Sequence, residues 1–249
     1  MIKSFSEFIN ESMENNLEFL KKLAMDLIAK IRNSSKEESQ NYHTFSGMEF
    51  TTPFMFDLIL NIRRESNPNL KDDPHFNDLS WEKLNYDDHG YAIDANTKMS
   101  KSKTKIPRII FHMILDPKRE PVSYENLYAR LLDILVHETN HLDQLGINRD
   151  PFNVNVSHPK ERDNAKKSYK YFLLRDEIES MIEGMYVRSK YKKVPLDEIF
   201  VEYLTPFLRT KYITDDEFQK VMVMWITKAL EVYPDANFSI SAKKIIDSI

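Results

Sequence analysis

The stretch 123–146, SYENLYARLLDILVHETNHLDQLG, decides the fold of this chain of 249 residues. Its apolar residues recur at helical spacing, a serine precedes them as a helix cap and a glycine follows them as a terminator. The pattern predicts one helix of about 22 residues. The apolar seam of this helix consists of Leu131, Leu135, Leu142 and Leu145. Glu138 occupies the gap in the seam, and a carboxylate that faces a core is costly unless it is paired or bound to a metal.

The same helix contains the motif His137-Glu138-Thr139-Asn140-His141. Its two histidines are one helical turn apart on one face, as the binding of a single zinc ion requires. The chain has no cysteine, so any metal must take nitrogen and oxygen ligands. Zinc with an open coordination position activates a water, and Glu138 is placed to accept the proton of that water. The motif predicts Zn²⁺ as the cofactor, His137 and His141 as ligands, and Glu138 as the general base.

The segment 123–188 resembles the active-site region of zinc metallopeptidases, in particular the gluzincin group. The resemblance implies a third zinc ligand from a glutamate on the next helix, commonly in a Glu-x-x-Ala/Ser pattern. Glu177-Ile178-Glu179-Ser180 matches this pattern, which implies Glu177 as the third ligand. On a helical plot Glu177 lies at the edge of the apolar face and Glu179 lies further from it, so Glu179 is the alternative.

One position departs from the thermolysin-like gluzincins, which have an aspartate four residues after the ligand glutamate to support a zinc histidine. This chain has Met181 at that position. The support must therefore come from another residue. Asp133, Glu179 and Glu183 are the candidates, and the sequence does not rank them.

The group that stabilises the tetrahedral intermediate of peptide hydrolysis is also left open. Tyr, His or Arg often has this role, and the candidates here are Tyr171, Tyr186, Arg188 and His112. His112 also has the ordinary interpretation of a hydrogen-bonded core histidine. The predicted strand 109–115 could pair with an extended substrate by strand addition, which favours a peptide or protein as the substrate.

Around this helix the sequence predicts a zincin-like α+β fold. A small, mostly antiparallel sheet is expected to pack on the active-site helix, and the C-terminal half is expected to be helical. The predicted strands are 54–62, 91–94 and 106–115, and the other predicted helices are 17–31, 161–191, 196–208, 215–232 and 239–249. The segments 33–41, 87–90 and 97–105 are expected to be a polar break, a turn and a lysine-rich connection. Residues 13–249 are expected to form one domain, with the sheet within about 45–120 and the helical part within about 122–249.

Residues 1–12, MIKSFSEFINES, lack the apolar region and the cleavage site of a secretory signal. They resemble the capsid-targeting segments of internal head proteins of T-even-like bacteriophages, which a maturation protease removes after a Leu/Ile-x-Glu triplet. Ile9-Asn10-Glu11 would be that triplet, and an ordinary amphipathic helix start is the alternative. The resemblance implies phage head proteins as partners and a location in the host cytoplasm and the virion.

Composition argues against several classes of function. The net charge of −4 disfavours nucleic acid or an anionic membrane as a partner, and no apolar stretch reaches the roughly 20 residues of a membrane span. The four glycines are too dispersed for a dinucleotide fingerprint or a phosphate-binding loop. The predicted function is a zinc-dependent metallopeptidase that hydrolyses peptide bonds. The alternatives are a non-catalytic virion protein that retains a metal-binding helix, and a helical scaffold without metal.

Overall fold

The structure is a computed structural model that describes residues 5–34, 40–49, 55–70, 73, 75–76, 80–98, 106–119, 124–144, 164–165 and 168–242. Its longer helices are α1 Phe5–Asn33, α2 Ser80–His89, α3 Tyr124–Gln144, α4 Arg175–Lys192, α5 Leu196–Arg209 and α6 Asp215–Val232, and a 3₁₀ helix spans Tyr169–Leu173. Its strands are β1 Gln40–Glu49, β2 Met55–Arg64, β3 Tyr91–Lys98 and β4 Arg108–Leu115. These elements form an α+β fold, as the sequence predicts.

The four strands form one mixed sheet in the order β1-β2-β4-β3. The pairs β1–β2 and β3–β4 are antiparallel, whereas the central pair β2–β4 is parallel. The chain passes from β2 to β4 through α2 and β3, because parallel neighbours need a crossover connection rather than a tight turn. The expected antiparallel pairing therefore holds for two of the three pairs, and β4 lies inside the sheet.

One face of the sheet packs on α1 and α3 and forms the first core. The alternation that predicted β2 places four fully buried side chains on this face: Phe56, Leu58, Leu60 and Ile62. The seam of α3 adds Leu131, Leu135 and Leu142 to the same core. Burying side chains of this size contributes roughly 1.5–3 kcal/mol each, so α3 is held firmly against the sheet. Leu145 and the predicted capping residues Ser123 and Gly146 lie outside the described residues.

The second core lies among the C-terminal helices around Trp225, which is fully buried. The Trp225 indole N–H donates to the carbonyl oxygen of Phe172 at 2.8 Å, so this carbonyl does not continue a helix. Leu174, just after the 3₁₀ helix, is extended with φ −66° and ψ 130°. The continuous helix expected over 161–191 is therefore wrong in its described part, where α4 begins only at Arg175.

Two of the remaining C-terminal helix predictions agree with the structure, and the third is described in part. The helices expected over 196–208 and 215–232 are confirmed as α5 and α6. Thr214 and Glu217 form a capping box at the start of α6, which gives this helix a well-defined N-terminus. Of the helix expected over 239–249, residues 240–242 are described and are helical.

Strand β1 has no counterpart among the sequence-based expectations. It begins at Gln40, within the predicted polar break 33–41 and before the expected start of the sheet near residue 45. It forms because it can pair with β2, in a register that places Gln40 opposite Arg63. A strand whose side chains alternate weakly in polarity depends on this partner, whose paired residues lie between 6 (Glu49 with Met55) and 23 (Gln40 with Arg63) positions away.

Helix α2 was also not expected, because the prediction at 87–90 was a turn. Asp87, Asp88 and His89 form the last turn of α2, and Gly90 follows with φ +75°. This left-handed conformation is typical of a residue that ends a helix. Strand β3 then extends to Lys98, so Thr97 belongs to the sheet rather than to the connection expected over 97–105.

The candidate capsid-targeting segment 1–12 is described only in part. Residues 1–4 lie outside the described residues, and helix α1 begins at Phe5. None of the described helices is both long enough and apolar enough to cross a membrane.

Helix α4 lies close to the backbone of α3 at Gly184. A Cβ atom at this position would lie 2.5 Å from Asp133 Oδ1 and 2.6 Å from the Asp133 backbone oxygen. Only a glycine permits this distance, because the backbone of α3 cannot move away as a flexible side chain would. The contact sets how deeply α4 lies against α3, and with it the position of Glu177.

Gly184→Ala is therefore expected to lower the free energy of unfolding by roughly 1–3 kcal/mol, because the added methyl group overlaps the α3 backbone. Urea unfolding measures the change. Lys220→Ala, at an exposed position of α6, is the control and is expected to change stability by less than about 0.5 kcal/mol. Equal stability of Gly184→Ala and the parent protein would show that the two helices do not meet here.

Candidate metal centre

Helix α3 presents His137 and His141 side by side. Their Nε2 atoms are 3.0 Å apart, and their rings are nearly perpendicular, at 87°. The spacing of four residues produces this arrangement, because it returns the side chain to the same face of the helix. The two side chains retain 17% and 12% of their exposure, so the pair lies just below the surface.

Glu177 reaches the two histidines from α4. Its Oε2 atom is 3.8 Å from His137 Nε2, and its Oε1 atom is 3.6 Å from His141 Nε2. The side chain is fully buried. The alternative, Glu179, is 29% exposed and pairs with Arg175 at 3.3 Å on the outer side of α4. The tertiary structure thus brings Glu177, and not Glu179, to the histidine pair.

These three side chains could hold a metal ion. Their donor atoms lie within 4.8 Å of one another, and among the described residues they are the one group of this kind. Donor atoms of a tetrahedral zinc site with bonds near 2.1 Å are about 3.4 Å apart, close to the 3.0, 3.6 and 3.8 Å found here. Two imidazoles and a carboxylate form a donor set that suits zinc. The residues therefore fit the predicted ion.

Gln144, one turn after His141, orients the imidazole of His141. Its Nε2 donates to the backbone oxygen of Asp176 at 3.0 Å, so its Oε1 faces His141 Nδ1 at 2.9 Å. An acceptor at this position keeps the proton on Nδ1 and leaves the lone pair of Nε2 for a metal. Ser180 Oγ lies 3.3 Å from the same Nδ1 and donates to Asp176 at 2.9 Å.

Among the expected candidates Asp133, Glu179 and Glu183, none is the partner of His141 Nδ1, which faces Gln144 and Ser180 instead. Asp133 pairs with Arg130 at 2.8 Å, and Glu179 pairs with Arg175. The carboxylate of Glu183 acts on Tyr233, whose pKa is raised by burial and then by this neighbouring charge. The sequence signal for Gln144 is its spacing of three residues from His141, which places both on one helical face.

The buried carboxylates determine the protonation of His141. Burial alone would lower the pKa of this imidazole, but the facing carboxylate of Glu177 and the charge of Glu138 outweigh burial and raise it. The site is therefore electronegative and favours a cation at the imidazole nitrogens.

Glu138 lies beside His137 on the wall of a cavity of about 140 Å³. Its side chain is 6% exposed, as its position in the apolar seam predicts. Thr97 of β3 donates its hydroxyl to Glu138 Oε2 at 2.8 Å and fixes the carboxylate. Sequence analysis missed Thr97, because only the fold brings the end of β3 to α3.

The lining of this cavity also includes a buried cluster of charges. Arg130 pairs with Asp133 at 2.8 Å and with Glu82 at 3.9 Å. Glu82 also accepts from the backbone N–H of Ile93 at 2.7 Å. Ion pairs thus form part of the cavity wall, and the guanidinium of Arg130 lies 5.9 Å from the ring of Tyr203.

Of the four candidate donors for the tetrahedral intermediate, only Tyr171 lines the cavity beside His137. Tyr186 instead donates to Asp235 at 3.1 Å on the surface. Arg188 pairs with Asp133 at 3.6 Å and lines a different cavity. The structure therefore brings Tyr171 alone to the candidate metal centre.

The expected substrate-binding strand 109–115, which is part of β4, does not lie at an edge of the sheet. Strand β4 has β2 on one side and β3 on the other, so it has no edge for an added strand. Strand β3 is the edge next to α3. The N–H of Ile93 points away from β4, since Glu82 binds it, and alternation along the strand directs the N–H groups of Ala95 and Thr97 the same way.

His112 lies on the opposite face of the sheet from α3, so it is not near the metal centre. Its Nδ1 is 3.3 Å from the amide nitrogen of Asn61, and its ring stacks on His75 at 3.6 Å. Burial, and after it the neighbouring His75, lowers the pKa of His112 to about 4. The core interpretation of His112 fits this environment.

The depressed pKa of His112 predicts a pH dependence of stability. The folded protein keeps His112 neutral down to about pH 4, whereas the unfolded chain takes up the proton near the ordinary histidine pKa of 6.5. Stability is therefore fully present above pH 6.5 and is lost as pH falls toward 4, by about 1–2 kcal/mol after allowance for partial exposure. Urea unfolding at several pH values measures this slope. We expect His112→Gln to remove this contribution, and an unchanged slope would contradict the assignment.

Comparison of the chain with protein-family models, with curated proteins and with solved structures finds no match.

Proposed function

We propose that this protein is a zinc-dependent metallopeptidase of the gluzincin type, with His137, His141 and Glu177 as ligands. One observation supports this function above all others. A fully buried carboxylate from α4 faces the two imidazoles of α3, and a second carboxylate, Glu138, lines the cavity beside them. A structural zinc site has no need of the second carboxylate and usually closes all four positions with protein ligands.

Each residue then has a distinct chemical task. Zinc, when bound, polarises the substrate carbonyl and lowers the pKa of water toward 7. Glu138 accepts a proton from the attacking water while the water oxygen bonds to the carbonyl carbon. It returns this proton to the leaving nitrogen as the C–N bond breaks. Thr97 holds the carboxylate in place through its hydrogen bond to Oε2.

The substrate class follows from the edge of the sheet. An extended peptide can add to β3 as a further strand, using the outward N–H and C=O groups of Ala95 and Thr97. Ala95 lines the cavity of the candidate metal centre, and Thr97 contacts Glu138. A peptide bound to this edge would therefore pass in front of the histidine pair.

Metal analysis combined with a cleavage assay tests the proposal. Elemental mass spectrometry of the purified full-length chain should find about one zinc per chain, and digestion of a peptide mixture should yield new termini by mass spectrometry. A zinc chelator should abolish cleavage, and zinc should restore it. His137→Ala is the control for contaminating peptidases. Zinc without cleavage would favour the non-catalytic metal-binding protein, and absence of zinc would favour a metal-free scaffold.

Tyr171→Phe is expected to lower kcat about 10- to 100-fold with little change in KM, since the lost hydroxyl would act on the transition state rather than on bound substrate. Steady-state kinetics on a cleaved peptide measure both constants. Tyr186→Phe removes the same hydroxyl from a surface position bound to Asp235 and should keep full activity. Equal kcat values for the parent and Tyr171→Phe would assign the donor role elsewhere.

A further inference from the structure

A second cavity of about 320 Å³ lies on the other side of Arg130 from the candidate metal centre. Its charged lining consists of the cations Arg130, Arg188, Lys192 and Arg209 and the anions Asp88 and Glu202. Arg130 is already compensated by Asp133 and Glu82, so the remaining cations Arg188, Lys192 and Arg209 face the anions Asp88 and Glu202. A local excess of positive charge in a concave site attracts anions.

The cations of this cavity are not all neutralised by the protein. Arg188 is only 9% exposed, yet its Nε atom is buried without a hydrogen-bond partner among the described residues. Its other nitrogens contact Asp133 at 3.6 Å and Glu202. Arg209 is exposed at the end of α5, and it has no ion-pair partner in the part of the chain that the structure describes.

A single carboxylate serves two of these cations. Glu202 pairs with both Arg188 and Lys192, the latter at 3.1 Å. Burial would raise the pKa of Glu202, but the charges of Arg188 and Lys192 lower it overall. Glu202 and Asp133 thus face Arg188 and Lys192, which leaves Arg209 as the cation of this cavity without a carboxylate partner among the described residues.

We propose that this cavity is a binding site for an oxyanion, a carboxylate or phosphate group held by Arg188, Lys192 and Arg209. Guanidinium groups suit such ligands, because their N–H donors match the spacing of carboxylate and phosphate oxygens. The site goes beyond the proposed peptidase function. Only Arg130 and Tyr203 line both cavities, and neither is among the three cations that hold the anion.

Isothermal titration of the full-length chain at low ionic strength tests this site with two probes. Inorganic phosphate represents a free anion, and the peptide acetyl-Glu-Glu-Glu-amide represents an acidic segment, with acetyl-Gln-Gln-Gln-amide as its neutral control. Binding of phosphate alone would identify a small-anion site, and tighter binding of the acidic peptide would identify a polypeptide ligand. Either result supports an oxyanion site. Binding of either probe should weaken in 0.5 M salt, because the salt shortens the Debye length to roughly a few ångströms and screens the charges.

Two variants should shift the affinity in opposite directions. Arg209→Gln should weaken binding about tenfold, because it removes an exposed donor and a charge. Glu202→Gln should strengthen binding severalfold, because it removes the carboxylate that competes for Arg188 and Lys192. Arg108→Gln, on an exposed arginine of β4 outside the cavity, is the matched control and should have no effect.

The opposite signs separate a binding site from a structural cluster, since a loss of folding would weaken binding in both variants. Thermal unfolding verifies that each variant is folded. Absence of heat with both probes at concentrations up to about 10 mM would overturn the proposal. It would mean that the dissociation constant is too high for a specific site. Equal effects of Arg209→Gln and Arg108→Gln would do the same, because they would indicate attraction by overall charge only.

Discussion

Glu138→Gln is expected to retain about one zinc per chain and to lose peptide hydrolysis by about 10²- to 10⁴-fold. The amide cannot accept the proton of the attacking water, whereas the three candidate zinc ligands stay unchanged. Thr97 can still donate to the amide oxygen, so the side chain keeps its place in the cavity. Zinc content by elemental mass spectrometry and kcat/KM on a cleaved peptide give the two readouts.

Glu179→Gln is the matched control for this variant. It makes the same change of charge and shape on α4, at a side chain that is 29% exposed and pairs with Arg175. Its zinc content and activity should equal those of the parent protein. If Glu138→Gln cleaved peptides at the parental rate, Glu138 would have no part in the mechanism and the non-catalytic alternative would gain support.

Glu177→Gln is expected to weaken zinc binding at least 100-fold, since it replaces a charged ligand by a neutral one at a fully buried position. Zinc at about 1,000 times its dissociation constant stabilises a folded protein by about 4 kcal/mol. Most of this stabilisation should therefore disappear in Glu177→Gln. Thermal unfolding with and without added zinc, together with competition against a fluorescent chelator, measures both quantities.

Glu179→Gln again provides the comparison, because the sequence alone leaves Glu177 and Glu179 as alternative third ligands. It should keep the zinc-dependent increase in Tm. The opposite pattern, with zinc affinity lost in Glu179→Gln and kept in Glu177→Gln, would reverse the assignment. If both variants kept their zinc, neither glutamate would be a ligand, and the two histidines would be the only ligands among these candidates.

Local pattern was sufficient for the elements that carry the motif. The leucine seam predicted α3 and the burial of Glu138, because a helix repeats its faces every three to four residues whatever surrounds it. The same rule predicted α5 and α6, and period-two alternation predicted β2. The histidine pair needs only one helix, so its geometry too is contained in the sequence.

The tertiary structure decided everything that depends on contact between distant segments. It placed β4 in the centre of the sheet and β3 at the edge, because pairing depends on which strands bury their apolar faces together. It selected Glu177 over Glu179 through the close approach of α4 to α3 at Gly184. It also supplied Gln144 and Thr97 as partners of His141 and Glu138. The sequence alone determined the helix, its two histidines and its buried glutamate, since these follow from the repeat of a single helix. The third ligand Glu177, the hydrogen bond of Thr97 to Glu138 and the cationic cavity required the folded chain, since they come from elements that meet only after packing.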